Sequence, residues 1–108
     1  MKCPKCPDQA MQLETWPGTE LERCPRCQGL FLDAGELARM LVSMHGGRVD
    51  SLGFTPLSDH QDRKLGVCDR CRVDMVPYLG PHNVRLDRCP KCDADFLDQG
   101  ELAQMRQP

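Results

Sequence analysis

Apolar and polar positions along the chain alternate in two places and recur at helical spacing in two others. Met11, Leu13 and Thr15 alternate with polar neighbours, Pro17-Gly18 turns the chain, and Leu21 to Arg23 runs back, which predicts a β-hairpin. The same pattern returns from Met75 to Leu79, through Gly80-Pro81-His82-Asn83, and back along Val84 to Arg88. Further on, Asp33-Ala34-Gly35-Glu36 and Asp98-Gln99-Gly100-Glu101 have the spacing of a capping box, an Asp facing the free N–H groups of a first turn and a Glu three residues on reaching back. Helices are therefore expected to begin near Ala34 and Gln99. In the first, Leu37, Met40, Leu41 and Met44 fall on one stripe until Gly46-Gly47 ends it; the second, with Leu102 and Met105, stops almost at once.

These patterns are copies of each other. Shifting the sequence by 65 residues places Cys3, Cys6, Cys24 and Cys27 on Cys68, Cys71, Cys89 and Cys92 without a gap. The same shift pairs Phe31-Leu32-Asp33 with Phe96-Leu97-Asp98, and Gly35-Glu36-Leu37-Ala38 with Gly100-Glu101-Leu102-Ala103. The chain thus reads as unit 1 over residues 1–47, a linker over 48–66 and unit 2 over 67–108. The linker is polar and punctuated by glycine. It reads as flexible chain, although a short helix starting at Pro56 is an alternative.

Composition sharpens the question of what holds such units together. Of 108 residues, five are aromatic and eight are cysteine, so neither unit has the apolar bulk of an ordinary core. Domains of about 40 to 60 residues usually need a disulfide or a metal. With Cys3 two residues after Met1 no signal peptide is expected, and no apolar run is long enough to span a bilayer. The expected compartment is cytoplasmic, where eight cysteines point to metal or redox chemistry rather than disulfides.

In each unit the pattern is C-x2-C, seventeen residues, C-x2-C. A C-x2-C turn offers two thiolates to adjacent corners of a tetrahedron, and two facing turns complete it; four cysteines make a closed structural zinc site. A thioredoxin-type redox pair would need a βαβ setting that is absent. Iron held as in rubredoxin would use the same four sulfurs and stays open on spacing alone, although rubredoxins have more core aromatics. Because each unit carries a full ligand set, Cys3, Cys6, Cys24 and Cys27 are expected to close one site and Cys68, Cys71, Cys89 and Cys92 the other, with two Zn2+ in all. The fold class expected is small metal-bound α+β: tandem zinc ribbons, each a β-hairpin with two zinc knuckles followed by a short α-helix. Met11, Leu13, Leu21, Phe31, Leu37 and Met40 form the expected minor core, and the metal-free chain is expected to be largely unfolded.

The stretch Cys24-Pro25-Arg26-Cys27-Gln28-Gly29-Leu30-Phe31-Leu32-Asp33-Ala34-Gly35-Glu36-Leu37 resembles the signature of the TFIIB-type zinc-ribbon family (zf-TFIIB), and Cys89 to Leu102 resembles it too. The departures are Phe31 and Phe96 where the family usually has Trp, Ala94 in place of the glycine at Gly29, and no proline in Cys68-Asp69-Arg70-Cys71. None removes a ligand. The resemblance implies zinc at all eight cysteines and a connection to transcription.

Charge then bears on partners. Eight thiolates and two divalent cations move the formal charge from -2 to about -6, a poor start for binding phosphates. Lys2, Lys5, Arg23 and Arg26 gather at the knuckles of one unit, and Arg70, Arg72, Arg88 and Lys91 at those of the other. They read as offsetting the tetrathiolate charge rather than as a nucleic-acid patch. Asp33–Glu36 and Asp98–Glu101 read as caps, not catalytic pairs, and His45, His60 and His82 as surface residues. Trp16 is either a core filler or a binding anchor. Leu41, Val42 and Met44 extend the first helix beyond its counterpart and are expected to meet the other unit or a second chain, giving a homodimer through the first helix. The expected function is non-enzymatic recognition of a macromolecule, a protein before a nucleic acid, with a rubredoxin-like electron carrier as a third reading.

Overall fold

Both predicted hairpins form, and each is followed by a third strand that the alternation does not announce. The computed structural model describes residues 1–16, 19–44, 55–56, 65–80 and 83–105. In unit 1, β1 (Gln12–Trp16) pairs antiparallel with β2 (Thr19–Arg23), and β2 with β3 (Leu30–Leu32). Helix α1 (Glu36–Met44) follows, and then a two-residue strand β4 (Thr55–Pro56). Unit 2 opens on a small sheet of β5 (Val67–Cys68) and β6 (Val73–Asp74). It continues with β7 (Val76–Leu79), β8 (Arg85–Arg88) and β9 (Asp95–Leu97), and ends in α2 (Glu101–Met105).

The third strands join the two units. β3 pairs antiparallel with β9 in the register Leu30↔Leu97, Phe31↔Phe96, Leu32↔Asp95, so that equivalent residues of the repeat cross at the Phe31–Phe96 pair. Among the described residues the result is one seven-stranded sheet in the order β1-β2-β3-β9-β8-β7-β4, with an approximate dyad at its centre. All six residues of the β3–β9 pair are buried, five of them apolar. A solitary unit would leave that surface in water, which is the physical reason the repeats merge.

Successive side chains point to opposite faces of a sheet, and each face is covered differently. On one face Leu21, Leu30, Leu32, Leu86 and Leu97 pack with Leu37, Met40, Leu41, Leu102 and Met105 of both helices, and Trp16 and Tyr78 lean against this cluster. On the other face Phe31 and Phe96 lie among Met11, Met75, Ala94 and the cysteines of both units. The expected minor core is therefore divided: Leu21, Leu37 and Met40 belong to the helix side, Met11 and Phe31 to the cysteine side. Leu13 belongs to neither. It sits on the edge strand, beyond the reach of the cysteine cluster, and is 65% exposed.

Both helices start two residues later than expected. Gly35 and Gly100 hold φ of 79° and 86°, left-handed values that delay the first turn to Glu36 and Glu101. The returning half of each capping box is present: Glu36 Oε1 accepts from the Asp33 N–H at 3.2 Å, and Glu101 Oε1 from the Asp98 N–H at 2.7 Å. The expected linker is in part structured. Thr55–Pro56 is extended and pairs with Leu79 and Tyr78, so no helix starts at Pro56. At its far end Gly66 is held by a bond from its N–H to Asp87 Oδ2 at 2.9 Å and by the Met75 N–H at 2.8 Å, and a Cβ on it would lie 2.7 Å from Pro4 Cβ. The rest of 48–66, the turn at Pro17-Gly18, the helix stop at Gly46-Gly47, and His45, His60 and His82 lie outside the described residues. Among the described residues no helix is long and apolar enough to cross a membrane.

Candidate metal centres

Each cysteine pair sits on a tight turn whose backbone points at sulfur. In unit 1 the Cys27 N–H donates to Cys24 Sγ at 3.5 Å; in unit 2 the N–H groups of Lys91 and Cys92 donate to Cys89 Sγ, both at 3.4 Å. Turns this tight demand a left-handed residue just past the second cysteine. Gln28, Arg72 and Asp93 supply it with φ of 63°, 57° and 61°. The fourth turn carries Pro7 there, a residue whose ring fixes φ near -65°.

The structure brings Cys3, Cys6, Cys24 and Cys27 together, and separately Cys68, Cys71, Cys89 and Cys92, the sulfurs of each set all within 4.8 Å of one another. The ligands are thus grouped unit by unit and not cross-braced. Cys3 Sγ lies 3.8 Å from Cys27 Sγ, and Cys68 Sγ 3.8 Å from Cys92 Sγ. Zinc bound to sulfur at about 2.3 Å in a tetrahedron requires sulfur–sulfur edges of about 3.8 Å. A disulfide would need about 2.05 Å, and all eight cysteines are free thiols. The donor set fits a tetrahedral metal ion without rearrangement.

The electrostatics point the same way. Burial pushes Cys24 and Cys89 up, but the N–H groups of Cys27 and Arg26 at one site, and of Cys92 and Lys91 at the other, outweigh it and bring each thiol down to about 7. Their neighbours go in the opposite direction. Burial, reinforced by adjacent thiols, raises Cys3 and Cys27 in unit 1 and Cys71 in unit 2, and pushes Cys92 up to about 12. Four thiolates this close repel one another, and only a cation between them makes all four ionise together.

The family of transcription factor zinc-fingers, the TFIIB-type zinc ribbon, matches residues 2–43. Residues 2–43 are similar to a zinc ribbon of this family. The second set of four cysteines, repeating the first at identical spacing and across the dyad, is consistent with a second tandem copy. The ligands are those of two structural Zn2+ sites, so the choice between zinc and iron that spacing left open goes to zinc. No curated protein and no solved structure matches the chain.

Sequence reasoning missed what the basic residues beside the ribbons do. Lys5 leaves the first knuckle of unit 1 and crosses the dyad to unit 2. There Nζ lies 2.8 Å from both oxygens of Asp98, 3.5 Å from Asp87 Oδ2 and 5.6 Å from the centre of the Phe96 ring. Arg70, its equivalent, crosses the other way to pair with Asp33 over the Phe31 ring. Within the units Arg23 pairs with Glu14 at 2.9 Å and Arg88 with the buried Asp95 at 2.7 Å. Burial nonetheless holds the Asp95 carboxyl above its usual range, with Arg88 countering only in part. Five of the eight basic residues thus pair with carboxylates, Arg72 with Asp69 at 3.9 Å among them, while Arg70 also feels the sulfurs of Cys92 and Cys68. The signal available in the sequence was the offset itself, which maps Lys5 to Arg70 and Asp33 to Asp98.

Trp16 is half-buried against the helix-side core and donates from Nε1 to Glu14, so it acts as a filler. Leu41 is fully buried in the shared core, where both helices lie. That cluster also holds Leu86, Leu97, Leu102 and Met105 of the other unit. The side chains of Val42 and Met44 lie outside those described.

Proposed function

We propose that the protein is a non-catalytic recognition module that presents two zinc ribbons, fused through one sheet, to a protein partner. The observation that carries this reading is the closure of both metal centres. Four cysteines fill each tetrahedron, so neither ion has a position for water or substrate, and its chemistry is to hold the fold. Among the cations at the knuckles, Lys5, Arg23, Arg70 and Arg88 are engaged by carboxylates. That engagement, with a zinc-loaded charge near -6, weighs against phosphate binding. The matched family's description supports a transcription-linked or other regulatory setting.

The test is affinity capture with the zinc-loaded chain from its own host, run beside fluorescence anisotropy with single- and double-stranded DNA and RNA at physiological ionic strength. Stoichiometric capture of one protein that is lost on chelation supports the reading. Salt-dependent nucleic-acid binding without a protein partner overturns it, and a coloured, iron-containing preparation would favour electron transfer instead.

A further inference from the structure

The two ends of the seven-stranded sheet are equivalent under the repeat but are treated differently. β7 at one end has its outer edge covered by β4, through Thr55↔Leu79 and Pro56↔Tyr78. β1 is its counterpart at the other end, and among the described residues its outer edge pairs with nothing. An uncovered edge is a row of backbone donors and acceptors ready to receive another strand. The chain thus shows at β7 what the β1 edge lacks: a short extended segment laid alongside.

The surroundings of β1 specify the segment. The register puts Leu13 beside Glu22 and Thr15 beside Glu20, and Glu22 beside Phe31, so these side chains share the cysteine face. Leu13, Glu20 and Glu22 line a shallow cavity of about 320 Å³, with Leu21 and Phe31 as its apolar wall and Asp33, Glu36 and Arg70 completing it. Four carboxylates face a single guanidinium there, and the tetrathiolate centres on the same face add negative charge. At the equivalent place in unit 2 the floor is closed: Gly66 covers Asp87 and Lys5 neutralises it. Leu13, at 65% exposed, is the most exposed large apolar side chain among the described residues, and it stands at the mouth of this cavity.

We propose that β1 receives an extended basic peptide of a partner protein by strand addition, with a lysine or arginine side chain directed into the Glu20/Glu22 cavity and an apolar one against Leu13. The proposal rests on the protein-recognition reading and names its surface and the chemistry of the partner. Backbone bonds to the edge supply affinity, and the acidic cavity selects for cations. A second copy of this chain fits poorly, because β1 carries no lysine or arginine to place against Glu20 and Glu22.

The experiment uses the full zinc-loaded chain, isotopically labelled, titrated with an acetylated and amidated hexapeptide of alternating lysine and valine. Two control peptides accompany it, one with glutamate for lysine and one N-methylated at alternate backbone nitrogens. The expected result is saturable amide shifts centred on Gln12–Trp16 for the lysine peptide. Binding of both controls, and of the lysine peptide to a Glu20→Lys, Glu22→Lys double variant with unchanged helix amides, should weaken by about tenfold or more. Absence of saturable shifts over 12–16, equal binding of either control, or self-association through β1 in sedimentation would overturn the proposal. A captured partner whose footprint lies away from β1 would also overturn it while leaving the recognition reading standing. Loss of the recognition reading to nucleic acid would appear instead in the anisotropy measurements.

Discussion

Lys5 and Arg70 occupy equivalent positions in the repeat and make equivalent crossings, so symmetry alone predicts equal consequences when either is removed. Burial predicts otherwise. The Lys5 side chain is 12% exposed and Asp87 is 0% exposed, with Asp98 at 37%. Arg70 and Asp33 are 46% and 50% exposed. Removing one partner of a buried ion pair leaves a charge that water cannot reach and costs about 3–5 kcal/mol, whereas an exposed pair contributes about 0–1 kcal/mol. Lys5→Met is therefore expected to destabilise the zinc-loaded chain by at least about 3 kcal/mol, and Arg70→Met by at most about 1 kcal/mol. Neither side chain is a metal ligand, so urea unfolding at saturating zinc under reducing conditions reads the difference directly. Salt separates the two further. Raising ionic strength from about 0.1 M to 1 M shortens the screening length from about 10 Å to 3 Å, which should erase the Arg70 effect and leave most of the Lys5 effect. Adding Asp87→Asn to Lys5→Met keeps an acceptor for the Gly66 N–H while removing the buried negative charge, and should restore about 1–3 kcal/mol. Equal losses for the two single variants, or no recovery in the double, would refute the reasoning that burial governs these crossings.

The remaining predictions concern packing and the metal. A Cβ on Gly29 would stand 2.3 Å from Phe96 Cζ and 2.9 Å from Cε1, and that ring is fully buried; Gly29→Ala should cost about 1–3 kcal/mol by thermal or urea unfolding, and Phe96→Leu in the same chain should relieve part of it. Leu41→Asp should unfold the protein, because the carboxylate enters a fully buried apolar cluster; circular dichroism should show lost structure, and a folded, lower-mass species in sedimentation would instead favour a helix-mediated dimer. Chelation should abolish the fold cooperatively, since each structural zinc brings about 10–16 kcal/mol of apparent binding free energy and both centres share one apolar cluster; a native-like spectrum of the metal-free chain would contradict this. A chain ending at Gly47 keeps four ligands but loses β9, so it should bind one zinc and self-associate across β3, detectable by sedimentation; a zinc-bound monomer would show that the β3–β9 pair is dispensable.

What the sequence by itself determined is what depends on neighbours along the chain. Two cysteines three apart make a knuckle wherever the turn is tight enough, an alternating run with a turn makes a hairpin, and an Asp three residues before a Glu starts a helix. The repeat then doubled each statement, and the ligand sets followed. Only the tertiary structure decided how the copies meet. Leu30–Leu32 and Asp95–Leu97 are too short to declare themselves as strands, since a run of three residues fits a helix, a loop or a buried strand equally well. Their pairing joins residues far apart in sequence, and it becomes favourable only when both hairpins are already present to bury the strands between them. From that pairing follow the shared helix-side core and the crossing of Lys5 and Arg70, with the outer edge of β1, unpaired among the described residues, beside an acidic cavity. These features depend on which face meets which, and local periodicity carries no information about that.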